Sequence, residues 1–335
     1  MSKPVSPEHT RALWMLLLAN FFWGLSFPVV KALLLLHERL RPGLDPWFSA
    51  VYTVAPRFIL AVTILTIWHE VRRRRAPADQ RARLWQGTWA EWRQGVMIGL
   101  FAAMGMLLQN DALNYTEAST SAFLTQITSF LIPIWVAVRF RRNPGLRVWF
   151  CCVLVMAGVA ILGEFNWQTL RFGRGEWETL LGAFFFMGQI LTLDRPEFSG
   201  NRSLHVTWVM FATEALVFWA LATSTAPDLQ MLIAPWTSGA WLGLTAILTI
   251  FCTFGSFGLM NAWQPKITAT EAGLMYCIEP VFASLMALFL PGIFSVWAAV
   301  NYPNERATWT LLAGGALITG ANIILQLKPP ERPPA

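Results

Sequence analysis

The chain has 335 residues, of which 55% are hydrophobic and only 13% charged, where an ordinary soluble domain carries about 25% charged residues. That balance excludes a soluble fold, because so much apolar surface could not be hidden from water. The formal charge of +6 does not mark a nucleic-acid partner, since the basic residues cluster beside apolar blocks rather than along one exposed helix.

The apolar residues fall in blocks of about 20, the length that crosses about 30 Å of hydrocarbon as a helix and twice that of a barrel strand. Taken in chain order, the blocks predict helices over residues 12–36, 48–70, 95–113, 117–139, 147–165, 177–195, 204–224, 239–262, 269–291 and 308–327. The first block is too long for a separate signal peptide and is followed by more of the same. Residues 72–93 form the one long polar loop, and the proline-rich segment 328–335 is expected to be a disordered tail. Tryptophans such as Trp14, Trp68, Trp92, Trp149, Trp177 and Trp309 lie at block edges, where an amphipathic ring prefers the membrane interface. The four cysteines, Cys151, Cys152, Cys252 and Cys277, sit inside apolar blocks without metal-ligand spacing and read as packing residues. With both termini in the cytoplasm, Lys and Arg favour the inner loops by about three to one, the bias that sets orientation. Arginine outnumbers lysine by about five to one, which points to a GC-rich bacterial genome and hence to a bacterial inner membrane.

Two related halves are visible within this pattern. A shift of 164 pairs Leu17 with Leu181, Ala19 with Ala183, Phe21 and Phe22 with Phe185 and Phe186, Gly24 with Gly188 and Lys31 with Arg195. A shift of 150 pairs Gly105 with Gly255, Ala112 with Ala262, Ala122 with Ala272 and Leu124 with Leu274. Each unit holds five helices, an odd number, so the second must enter the membrane upside down. The expected fold is therefore an all-α membrane protein of ten transmembrane helices in two inverted five-helix repeats. Residues 1–170 form the first repeat, 171–327 the second and 328–335 the tail. Inverted repeats place a solute site near the midplane, where one half rocks against the other.

The runs FFWGLSFPVVK, PRFILAVTIL around Arg57 and ALNYTEASTSAFLTQITSFLIPI, with ITATEAGLMYCIEPVFASLMALFL and NERATWTLLAGGALITG in the second half, resemble the EamA group of the drug/metabolite transporter superfamily. The resemblance covers nearly the whole chain and implies an EamA-like unit in each half, with transport rather than catalysis as the activity. One departure is clear: the turn after the fourth helix reads RFRRNPGLR, without the acidic residue of a Gly-Glu-Arg-like turn, whereas Glu305 is kept in the second half.

Three ionisable residues fall near helix centres: Arg57, Glu214 and Glu279. Facing lipid, the trio would cost about 8 to 10 kcal/mol, which rivals the whole stability of a domain at about 5 to 15 kcal/mol. They must therefore face water, one another or protein dipoles, and they are the candidate coupling or gating residues. Arg57 reads either as half of a structural ion pair with an acidic neighbour or as a contact for an anionic solute. Glu279 precedes Pro280, which removes a backbone hydrogen bond and can open the helix, leaving its carboxyl able to exchange protons. Glu214 has no partner in the family pattern.

Asn20, Trp23 and Ser26 share one face of the first helix. With Gln109, Asn110, Ser119, Gln126, Thr128, Gln189, Thr192, Thr253, Ser256 and Tyr276 they form a candidate lining, many of whose Ser and Thr members can be read as ordinary helix-to-helix hydrogen bonds. The substrate-binding candidates are Asn20, Trp23, Gln126, Gln189 and Tyr276. The expected function is a secondary transporter, an exporter of small metabolites such as amino acids or amphipathic compounds. Its partners are a small-molecule solute and the lipid bilayer, without nucleic acid, cofactor or metal, and the chain acts as a monomer or homodimer. No Walker loop, HExxH or GxSxG run occurs, and the four histidines lie at or outside helix ends; this argues against ATP hydrolysis and against the competing reading of a membrane-embedded transferase or hydrolase. A non-transporting receptor or scaffold is the remaining alternative.

Overall fold

The computed structural model describes residues 7–75, 85–112, 115–116, 121, 124–141, 143–164, 168 and 172–327. The expected tail at 328–335 and Ser119 lie outside the described residues. No strand occurs among the described residues, as lipid requires of a chain that must satisfy its own backbone hydrogen bonds within each segment.

The main helices are α1 (Pro7–Leu40), α2 (Pro46–Arg75), α3 (Trp89–Ala112), α4 (Thr128–Phe140), α5 (Leu146–Leu162), α6 (Arg174–Leu193) and α7 (Ser203–Thr225). They continue as α8 (Gly239–Lys266), α9 (Ala269–Tyr276), α10 (Glu279–Ala287), α11 (Leu290–Ala298) and α12 (Trp309–Gln326). Six of them, α1, α2, α3, α7, α8 and α12, are long and apolar enough to cross a membrane. The pair formed by α9–α10 and α11, bent by 59°, makes a seventh, and α4 and α5 are shorter apolar helices. Trp14, Phe27, Ile67, Val138, Phe150, Leu216 and Leu312 stand exposed on the outside of the bundle, where only a lipid solvent makes such a surface favourable. The chain is a multi-pass membrane protein.

The spans expected at 117–139 and 269–291 are not single helices. The second stops at Tyr276 and resumes at Glu279 through a turn at Cys277–Ile278. Pro280 has no N–H for the Tyr276 carbonyl and its ring crowds that oxygen, so the helix ends there. A matching turn at Gln126–Ile127 precedes α4. Both turns tighten in the same way: the Ile127 N–H donates to the Leu124 carbonyl and the Cys277 N–H to the Leu274 carbonyl, each at 3.2 Å. A third irregularity is a wide π-turn inside α8 at Ile250–Gly255.

Small residues set how closely the helices approach. α5 meets α12 where a Cβ added to Gly314 would lie 2.5 Å from the Gly158 carbonyl oxygen, and one added to Gly158 would lie 2.8 Å from the Gly314 oxygen. α3 receives the Phe186 ring of α6 over Gly105, and α8 receives the Phe22 ring of α1 over Gly255. α2 lies along α7 through Phe58 and Phe218, stacked at 5.9 Å.

Ion pairs tie the ends together. Lys266–Glu8 at 2.9 Å, Arg93–Glu197 at 2.8 Å and Arg202–Glu91 at 2.7 Å gather the starts of α1, α3 and α7 with the ends of α6 and α8. At the opposite end Arg174 pairs with Asp111 at 2.6 Å, Arg39 donates to the Ala298 carbonyl at 2.7 Å and Thr310 donates to Glu164 at 3.0 Å.

Candidate central site

The residues singled out by the sequence fall into two linked groups and three outliers. In the first group Tyr276, the last residue of α9, presents its ring edge to Trp23 of α1 with centroids 5.3 Å apart. Its hydroxyl donates to Gln264 Oε1 at 2.8 Å, and Gln264 Nε2 donates to the Ile190 carbonyl at 2.8 Å. Ile190 follows Gln189, which is buried with its Nε2 4.0 Å from the Met260 sulfur. One polar chain therefore joins α9, α8 and α6 beside the Trp23 ring.

The second group is Arg57 with Glu214. α2 and α7 pack side by side, and this brings the guanidinium and the carboxylate within reach of each other's charge. Arg57 is 7% exposed and Glu214 0%. They form no direct ion pair: Arg57 Nη2 rests 2.8 Å from the Met106 thioether, Arg57 Nε has no hydrogen-bond partner, and neither does either Glu214 oxygen. Phe257 bridges the groups, with its ring 5.3 Å from Trp23, 6.3 Å from Phe58 and 6.4 Å from Phe211. An unbroken aromatic path therefore runs from Tyr276 to the side of Arg57.

Asn20, Gln126 and Glu279 are the outliers. Asn20 is 0% exposed; it donates to the Leu16 carbonyl at 2.7 Å and leaves its Oδ1 without a partner. Gln126 and Glu279, both half-buried, occupy the two helix breaks. Several members of the wider lining are spent inside the protein. Ser26 donates to the Trp23 carbonyl, Thr192 to that of Gly188, Thr253 to that of Leu248 and Ser256 to that of Cys252. Gln109 donates to Thr125 and Thr128 to the Thr125 carbonyl. Asn110 lies in a shallow surface depression with Trp47, Asp111 and Phe218, toward the Arg174 end of the bundle.

Sequence reasoning missed Gln264, Met106 and Phe257. Gln264 lies just past the predicted end of its helix, and a thioether or a phenyl ring gives no polar signal. Another missed contact is His9 with Glu271 at 2.9 Å, joining the start of α1 to α9.

Residues 10–163 match the EamA-like transporter family. A curated relative from Archaeoglobus fulgidus, described as an uncharacterized transporter, is 23% identical over 274 residues, covering 82% of this chain and 76% of the relative. A solved structure, described only as the crystal structure of a protein, aligns with a TM-score of 0.70 at 15% identity, covering 95% of this chain and 97% of that one. The last likeness speaks for the fold alone.

Proposed function

Residues 10–163 match the EamA-like transporter family, a family of transporters and not of enzymes, and from this premise we propose that the chain is a secondary transporter of ten membrane-crossing segments. In this reading two inverted five-helix repeats, residues 1–170 and 171–327, alternate access around a central site. The carrying observation is reciprocal contact: Phe22 sits over Gly255 while Phe186 sits over Gly105, and the sequence shifts of 164 and 150 make these two contacts copies of one another. Further support comes from the matching breaks at Gln126–Ile127 and Cys277–Ile278, which correspond under the shift of 150 to within one residue. Interrupted helices at corresponding positions of two halves are the usual neighbourhood of a transport site.

The solute, a small metabolite such as an amino acid or an amphipathic compound, binds against Trp23 and Tyr276, with Asn20, Gln126 and Gln189 as polar contacts. Arg57, Glu214 and Glu279 couple or gate the movement, and transport is outward. Tight packing around Tyr276, Gln189, Arg57 and Glu214 fits a state in which the site is shut. The membrane is the bacterial inner membrane with both termini in the cytoplasm. The test is flux in proteoliposomes: metabolites that raise the melting temperature of the purified protein are loaded and their exit followed. Efflux of at least one such metabolite is expected, and tight binders that never cross would overturn transport in favour of a receptor.

A further inference from the structure

Resting on the transporter reading, we infer that Glu214 and Arg57 form a proton–anion exchange couple, in which a monoanionic, carboxylate-bearing solute takes Glu214's place as counter-charge to Arg57 while Glu214 accepts one proton. Arg57 is a permanent cation at membrane depth, nine-tenths buried, with Nε unpartnered and Nη2 against a thioether. It keeps the unspent donors of a planar fork, the geometry that grips a carboxylate in two parallel bonds. Glu214 is its only acidic counter-charge among the described residues around the couple, yet no nitrogen–oxygen pair between them closes to ion-pair distance and both Glu214 oxygens lack donors.

The neighbours make the exchange stoichiometric. α2 contributes Arg57, α8 contributes the Cys252 thiol beside it, and α3 contributes the neutral Met106. α7 also packs against α3 through Thr213 at Gly99. The phenyl walls Phe58, Phe211 and Phe257 exclude water. In such a place only a net-neutral set of charges is tolerable. The arginine with ionised glutamate is neutral, and so is the arginine with a bound monoanion and a protonated glutamate. An arriving anion therefore brings a proton with it: the carboxylate forms hydrogen bonds to the guanidinium, and the proton from solution ends on a Glu214 oxygen.

The probe is benzoate, whose carboxylate suits the guanidinium and whose ring suits the phenyl walls. Calorimetric titration of the full chain in nanodiscs, in two buffers of different ionisation heat, counts protons taken up per benzoate bound. About one proton per anion is expected for the wild type, near zero for Glu214→Gln, and at least about tenfold weaker binding for Arg57→Gln. Infrared difference spectra on benzoate binding are expected to gain a protonated-carboxyl band that Glu214→Gln lacks. Absent binding, binding without proton uptake, or uptake unchanged in Glu214→Gln overturns the couple. If neutral solutes still cross proteoliposomes in that event, the transporter reading stands and this inference alone falls; if nothing crosses, the broader reading falls as well.

Discussion

At the scale of single residues, the sequence could read depth but not partnership. Arg57, Glu214 and Glu279 stood out because each interrupts an apolar block near its centre, and burial of a charge is costly wherever the block packs. Which charges meet depends on which helices adjoin, and that is decided by ridges of Gly and Phe rather than by the charges themselves. The family pattern offered Glu214 no partner, yet packing of α2 on α7 sets it against Arg57. The consequence is energetic. Removing one member leaves the other buried and alone, so Arg57→Leu and Glu214→Leu are each expected to lower stability by about 3 to 5 kcal/mol. The double variant replaces both by apolar volume and is expected to recover most of the loss. Denaturant unfolding of the four proteins in one detergent measures this directly, and additive losses would mean that the two charges do not interact.

Among the helices, length was legible and continuity was not. Bilayer thickness fixes span length, so the apolar blocks found six of the long spans, or seven with the bent pair, but the stops at Gln126–Ile127 and Cys277–Ile278 fall inside single blocks; only Pro280 announced the second. Under the 150 shift Ser129 of the first break corresponds to Glu279 of the second, so one break carries a carboxyl group and the other a hydroxyl. That asymmetry makes α10 the element to test. If Glu279 gates, Glu279→Gln is expected to slow proteoliposome flux by about tenfold, equivalent to about 1.4 kcal/mol of barrier, with solute affinity little changed; equal flux would remove Glu279 from the gating role. The α5–α12 contact makes a second claim at this scale. A methyl group on Gly314 meets carbonyl oxygen and backbone nitrogen, at 2.5 Å from Gly158 and 2.7 Å from Leu162, which cannot rotate aside. Gly314→Ala is expected to cost about 1 to 3 kcal/mol. Gly320 on the same helix has nothing within 4 Å of an added Cβ, so Gly320→Ala is expected to stay within about 0.5 kcal/mol of wild type. Melting curves for both variants separate close packing from a general intolerance of α12.

For the whole molecule, the proposed repeat shows in the sequence only as a few spaced pairs. Composition so rich in Leu, Ala and Phe matches itself by chance, and rings also lie on Gly188 and Gly243; what sets Gly105 and Gly255 apart is that both glycines and both rings, Phe186 and Phe22, correspond under the two shifts. Inversion has a consequence that does not depend on those contacts. Under the proposed repeat the loop between α4 and α5 is the counterpart of the loop between α11 and α12, and in an inverted pair the two must open to opposite sides of the membrane. Asn143 and Asn304 are exposed in these loops, and Ser199 is exposed between α6 and α7. The four native cysteines are buried, so single cysteines can be introduced with little background labelling. In sealed inside-out vesicles a membrane-impermeant maleimide is expected to label Asn143→Cys and Ser199→Cys, whereas Asn304→Cys reacts only after permeabilisation. Labelling of Asn143→Cys and Asn304→Cys from the same side would mean that the halves are parallel, and a site shared between oppositely inserted units would then have no basis.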